Sequence, residues 1–239
     1  MGSYVAYFLA ASGLEIFLVD YDVVEYKHTR DGRTIYQASS IGTSKVYAAK
    51  YKIEGDYPDS IIHPVLGNVK DLINEGFFTS DQKDNIVINA IDDAKAMLKV
   101  NDRLYHDVEI IYVAMHAGAE SGHIIITIPE ASACLRCSLD VRSHRDIHTL
   151  HGEPGLAVNI RHVANQCAAI AFEILYFKAT GRPIERWDIK KNVFYFANKR
   201  EQLSPDGPAV ILQEAEKRPG CRICSVIPSK PLLKDYHYD

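Results

Sequence analysis

Four of the chain's five cysteines stand in two pairs, Cys134-Leu135-Arg136-Cys137 and Cys221-Arg222-Ile223-Cys224. Zinc favours soft thiolates in a closed tetrahedral shell, and a two-residue spacing lets one tight turn supply two of the four ligands. One structural Zn²⁺ held by Cys134, Cys137, Cys221 and Cys224 would tie the far end of the chain back to its middle. Two other readings fit the same residues. A Cys-x-x-Cys can be a redox dithiol, but that motif normally opens a helix beside a strand as a single pair. The pairing could also be chance among free thiols. Neither pair precedes an apolar helical run, and zinc is the favoured reading.

The next residues with chemistry in them are acids. Asp20 and Asp22 follow the apolar run Glu15–Asp20, and Asp92 and Asp93 follow the run Asn85–Ile91. Their value depends on the elements that carry them. Ser3–Ala11 reads as a helix closed by Gly13, Glu15–Asp20 as a buried strand, Thr43–Ile53 as a helix and Asp59–Val65 as a strand. Asn85–Ile91 is apolar enough for a strand covered on both faces, Ala94–His106 is a helix, and Glu109–Met115 is another buried strand. Alternation of this kind predicts an α/β fold with a doubly wound, mainly parallel sheet, in which ligands bind at the carboxyl ends of the strands. Beyond Gly118 the texture changes. Gly122–Pro129 reads as a strand leading to the first cysteine pair, and Ser138–Glu153 as a polar crossing loop. Gly155–Thr180 is the longest helix, and Asn192–Ala197 and Ala209–Leu212 are late strands.

Bulk composition narrows the function classes. The 239 residues suit one large α/β domain or two small ones, and 47% hydrophobic with 24% charged residues is ordinary for a soluble globular chain. With 27 basic and 31 acidic side chains the net charge is −4, which gives no electrostatic footprint for nucleic acid or an anionic membrane. The apolar stretch Val5–Val19 is broken by Ser12, Gly13 and Glu15, too often to span a bilayer, and no basic segment precedes it as in a signal peptide. Thiolates held on metal suit a reducing cytoplasm.

Taken in order, Gly2-Ser3, Val19-Asp20-Tyr21-Asp22, Ile41-Gly42-x-x-Lys45, Ile91-Asp92-Asp93, Cys134-x-x-Cys137 and Pro219-Gly220-Cys221-x-x-Cys224 resemble the ThiF/MoeB adenylyltransferases over nearly the whole chain. That family includes the adenylation domain of ubiquitin-activating enzymes. The resemblance implies one domain over residues 1–239, with a nucleotide-binding half (1–118) and a zinc-stapled half (119–239) whose mixed β extension serves substrate and dimer contacts. It implies Mg²⁺- and ATP-dependent adenylation of a carboxylate, usually the C-terminal glycine of a ubiquitin-like or sulfur-carrier protein, by a homodimer. Gly2 would be the last glycine of a nucleotide-binding turn, and Asp20, with Asp22 beside it, would hold the ATP ribose hydroxyls. Lys45 would contact the phosphates, and Asp92 would hold Mg²⁺ near the α-phosphate. Plainer readings stand next to these: Asp20 as a turn residue, Lys45 as a solvated lysine in a helix's first turn, Asp92 as a helix N-cap.

Three departures from the family pattern shape the expectation. The strand and glycines that should precede Met1 are not in the sequence, which reads as a fragment or a misplaced start. Their absence predicts weak or no ATP binding and a sheet lacking a central strand. The phosphate-binding arginine segment is degenerate, so Arg30 or Arg33 would take its place, with Arg30 slightly preferred; both could equally be exposed loop arginines. No cysteine lies between Ser138 and Gly155, and Cys167 falls in an apolar helix, so adenylation without transfer to an enzyme thiol is expected. His148 and His151 read as solvated loop residues. Two rivals remain: a catalytically inactive partner subunit with the same fold, and a nicotinamide-dependent oxidoreductase with structural zinc.

Overall fold

The structure, a computed structural model, describes residues 1–78, 84–139 and 156–225. Its elements run α1 (Gly2–Ala11), β1 (Ile16–Asp20), α2 (Lys45–Asp56), β2 (Ile62–Leu66), α3 (Val69–Asn74), β3 (Val87–Asn89), α4 (Ala94–Leu104) and β4 (Ile110–Met115). They continue with β5 (Ser121–Thr127), α5 (Leu135–Ser138), α6 (Ala157–Thr180), β6 (Val193–Ala197) and β7 (Ala209–Gln213). Most of the helices and strands read from the sequence are present within a few residues. The short α3 was not anticipated. His148 and His151 lie outside the described residues, as does most of the expected crossing loop.

The sheet departs from the expected pattern. The described strands form two sheets, a parallel pair β1-β2 and a five-stranded sheet in the order β3-β4-β5-β6-β7. Only β3 and β4 are parallel in the larger one; from β4 to β7 every neighbour is antiparallel. "Mainly parallel" therefore describes only the first half. The five residues between β4 and β5 are too few for the crossover a parallel pair needs, so β5 must turn back along β4. Pro64, which cannot donate to a ladder, sits in β2, an edge strand.

β4 and β5 separate two apolar cores. Ile111, Val113, Ile124 and Ile126 face a cluster built on α1, α2 and α6, while Ile110, Tyr112 and Ile125 face one built on α4 and Leu135. The register pairs Ile111 with Ile126, Tyr112 with Ile125 and Val113 with Ile124, so each cross-strand pair falls on one face. Each such isoleucine, fully buried, contributes roughly 1.5–3 kcal/mol, which is why these strands read as continuous apolar runs. α1 is shared by both sheets. Ile16 and Leu18 of β1, and Ile88 and Ala90 in and just after β3, pack on the same cluster as Tyr4, Val5 and Leu9. A Cβ on Gly2 would stand 3.2 Å from that of Ala90, so the start of α1 is pressed against the end of β3.

Candidate functional site

β1 stops at Asp20, and the chain turns because the Asp20 carboxylate accepts the N–H of Asp22 at 2.9 Å. Residues 22–24 then run beside 42–45: Val24 donates to the Thr43 carbonyl, Gly42 to Val24, and Lys45 to Asp22. Gly42 holds φ at +86°, a left-handed conformation that suits glycine. This lacing puts Lys45, the first residue of α2, against the strand-end acids. Its Nζ lies 2.6 Å from Asp22 and 3.8 Å from Asp20, and its side chain is only 17% exposed. Lys45 is thus paired and not a freely solvated lysine, while Asp20 keeps its turn role as well.

Three neighbours feel this cluster. Burial, then Asp20 and Asp22, pushes the Tyr36 hydroxyl well above its ordinary range. Burial, then Lys45 and Lys27, lowers His28. The buried amino group of Met1 is lowered to about 6 by burial and by Lys45, with Asp92 opposing. Asp92, in the loop after β3, is thus one of the charges that the Met1 amino group feels. Capping of α4 falls to its neighbour: Asp93 Oδ1 accepts from Lys95 N at 2.7 Å and Ala96 N at 3.1 Å. That leaves Asp92 exposed and without the capping role.

Arg30 and Arg33 are placed differently. Arg33 pairs with Asp31 at 3.1 Å, and Arg30 lies 4.0 Å from the same carboxylate and over the Tyr26 ring. Neither is brought to Asp20, Asp22 or Lys45. Their loop is pinned by a residue that the sequence did not single out, Arg161 of α6. It donates to the Tyr4 hydroxyl at 2.9 Å and the Gly32 carbonyl at 3.1 Å, and Tyr4 donates to that same carbonyl. α6 also carries Asn159, His162, Asn165, Gln166, Glu173 and Lys178, so nothing in the sequence set Arg161 apart.

The four cysteines do converge. Their sulfurs all lie within 4.8 Å of one another, with Cys134–Cys221 at 3.7 Å and Cys137–Cys224 at 3.5 Å. A tetrahedron with metal–sulfur bonds of about 2.3 Å has sulfurs about 3.8 Å apart, whereas a disulfide needs about 2.05 Å. The donor set fits a thiophilic metal ion. Cys134, Cys137 and Cys224 are buried and Cys221 is half-buried. Burial pushes the Cys134 thiol up; at Cys221 burial is outweighed by the N–H groups of Cys224 and Ile223, which bring it down to about 7. The fifth, Cys167, is buried in α6 and its thiol is pushed up by burial alone. A further buried polar group lies just beyond β4, where His116 meets His123 at 3.0 Å and Ser121 at 3.0 Å.

Fold and site together define the class: a Rossmann-like α/β protein with charged strand ends and a four-cysteine staple. The chain belongs to the ThiF family, whose model matches residues 1–222. It is similar to ubiquitin-like modifier-activating enzyme 5 of Mus musculus, at 29% identity over 176 residues, which is 67% of this chain and 42% of that protein. The Gallus gallus protein of the same name is 30% identical over 176 residues and is 43% covered. The chain thus spans about two fifths of the length of these relatives. Among solved structures, E. coli MccB with MccA-N7isoASN aligns with a TM-score of 0.69 at 17% identity, over 93% of this chain and 64% of that one. MccB with ATP gives 0.67 at 16%, over 93% and 63%. These likenesses establish the fold.

Proposed function

We propose that the protein is an ATP-dependent adenylyltransferase that activates a carboxylate, the C-terminal glycine of a ubiquitin-like or sulfur-carrier protein. Family membership supports carboxylate adenylation in general, and the names of the relatives point to a protein or peptide carboxylate. The observation that carries the reading is the gathering of Asp20, Asp22 and Lys45 at the end of β1.

In this reading a substrate carboxylate oxygen forms a bond to the α-phosphorus of ATP as the bond to the pyrophosphate oxygen breaks. The products are an acyl-adenylate and pyrophosphate. A carboxylate is ionised at neutral pH, so no general base is needed and the chain's residues need only position and neutralise. Asp20, with one oxygen engaged by Asp22 N–H, has lone pairs left for ribose hydroxyls. Lys45 would exchange its internal carboxylates for phosphate oxygens, placing positive charge where negative charge develops. Asp92 would hold Mg²⁺, which supplies a second positive charge at the α-phosphate. The cysteine cluster would hold Zn²⁺ structurally, since four thiolates leave no open position. The buried, raised Cys167 thiol supports a reading in which the acyl group is not passed to that cysteine.

A homodimer in the cytoplasm completes the proposal; among the described residues no helix is long and apolar enough to cross a membrane. A second reading, a catalytically inactive partner subunit, is favoured by one observation: both candidate phosphate-binding arginines are turned to Asp31. ATP–pyrophosphate exchange with Mg²⁺ and ubiquitin-like C-terminal peptides separates the two, run on this chain and on a version extended upstream. Exchange that disappears in Asp92→Ala supports the enzyme. Neither exchange nor nucleotide binding in the extended, zinc-loaded protein leaves the partner subunit.

A further inference from the structure

Each Cys-x-x-Cys turn carries one arginine between its cysteines, Arg136 in the first and Arg222 in the second. Both reach the same carboxylate, Asp102 in the last turn of α4. Arg136 grips it with two parallel bonds, Nε to Oδ1 and Nη2 to Oδ2, each 2.7 Å, and its side chain is 5% exposed. Arg222 Nη2 approaches Oδ2 at 3.4 Å from the solvent side. Beside Asp102, the fully buried Asn101 accepts the N–H of Leu135 at 2.8 Å and donates to Asp102 at 3.2 Å. One turn further, Tyr105 donates to the Ser132 carbonyl at 2.6 Å and packs on Cys134, Cys137 and Cys224. The second turn is also tied to the first directly. Arg218 N–H lies 3.4 Å from Cys137 Sγ, and its Nη2 donates to the Arg136 carbonyl at 2.9 Å.

We propose that Asp102 is a positioning residue of the metal centre: it draws both cysteine turns onto the end of α4 through Arg136 and Arg222. The inference rests on the reading that the four cysteines hold a metal ion. Four thiolates on a divalent cation leave a centre of charge −2, and two guanidinium groups flank it in the sequence itself. Without Asp102 those groups have no common anchor, and Arg136 becomes a buried cation lacking its partner. Partners of this kind, one step removed from a metal's ligands, typically set affinity by a factor of about 10–100. Arg136 makes the larger contribution, because its two bonds are short and parallel and its side chain is buried, while Arg222 is mostly exposed.

The test uses Co²⁺, whose thiolate complexes absorb strongly. The full chain is titrated as wild type, Asp102→Asn, the double variant Asp102→Asn/Arg136→Met, and Ile53→Ala as a control that weakens the core around α1, α2 and α6. Expected are a tetrahedral four-thiolate spectrum in the wild type, the same spectrum in Asp102→Asn with about 10–100-fold weaker Co²⁺ affinity, and partial recovery in the double variant, where the stranded buried charge is gone. Ile53→Ala should lower Tm but keep wild-type affinity. Wild-type affinity in Asp102→Asn, or an equal loss in Ile53→Ala, overturns the positioning role and leaves the metal centre standing. A wild type that shows no thiolate–Co²⁺ absorption overturns the metal reading itself and the inference with it.

Discussion

At the end of β1, Asp22 is 48% exposed and Lys45 reaches it across a strand–helix junction; at the end of α4, Arg136 is 5% exposed and both oxygens of Asp102 clasp it. The residue types are the same, an acid and a base, but Lys45 and Asp22 are 17% and 48% exposed where Arg136 and Asp102 are 5% and 22%. An exposed pair contributes about 0.2–1 kcal/mol and can exchange partners at small cost. Breaking a buried pair costs about 3–5 kcal/mol, because the survivor is left as an uncompensated charge. The first region can therefore give up its internal partner for a phosphate, and the second cannot give up anything. In the proposed function, ionisable residues do chemistry in one place and hold architecture in the other, and solvent access separates the two.

The contrast is broken most directly at the staple. Cys137→Ser should cost about 4 kcal/mol or more, a loss of the size reserved for a removed metal, read as a lower urea midpoint in zinc-loaded protein. A change below about 1 kcal/mol would mean that the sulfurs only pack. Lys45→Ala should give the opposite pattern: stability within about 1 kcal/mol of wild type, but pyrophosphate exchange down by about 10²-fold. A destabilised variant with intact exchange would move Lys45 to the architectural side.

Smaller effects sharpen the same line. Arg161→Ala removes one bond to Gly32 in the Arg30–Arg33 loop and one to the Tyr4 that also holds it, worth about 1–2 kcal/mol locally, so trypsin should cut after Arg30 or Arg33 several-fold faster. Unchanged cleavage would show that Tyr4 and Asp31 hold the loop without Arg161. The buried His123 is a polar group on the architectural side. Burial, then His116, lowers it to about 4, below its unfolded value of about 6.5. The unfolded chain therefore takes up a proton below pH 6.5 that the folded chain refuses until about pH 4. Stability is full above pH 6.5 and falls as the pH drops through that window, by about 1 kcal/mol between pH 7 and 5.5. Urea midpoints for wild type and His123→Leu at both pH values should show the decline shrinking in the variant.

Much of this was legible in the sequence, for physical reasons that also mark where legibility stopped. Long apolar runs bounded by Gly13, Pro129 or Gly181 declare themselves because burial and backbone freedom are local properties. The convergence of the cysteine pairs was legible because a two-residue spacing lets one turn present two sulfurs together. α3 was not: Val69–Asn74 is a six-residue helix with Lys70 and Asp71 in it, and its N-cap Asn68 signals a loop as readily as a helix. The antiparallel run from β4 to β7 was not legible from composition, because a buried strand has the same composition whichever way its neighbour runs. Asp102 and Arg161 read as solvated helix surface, since the partners that bury or bind them, Arg136 and Tyr4, are 34 and 157 positions away.

Cys134 and Cys221 lie 87 positions apart, and a metal ion joining them would turn the intervening chain into a ring. α6, β6 and β7 all belong to that ring. A permanent cross-link closing a loop of this length removes about 4–5 kcal/mol of freedom from an unfolded chain in the chain-entropy picture. A denatured protein that keeps its metal is accordingly a tethered coil, and its second half searches for its place with both ends already together. What then remains to be closed over a long distance is the meeting of α1 with α6, at opposite ends of the described core. That single encounter should limit the rate at which the metal-loaded chain refolds.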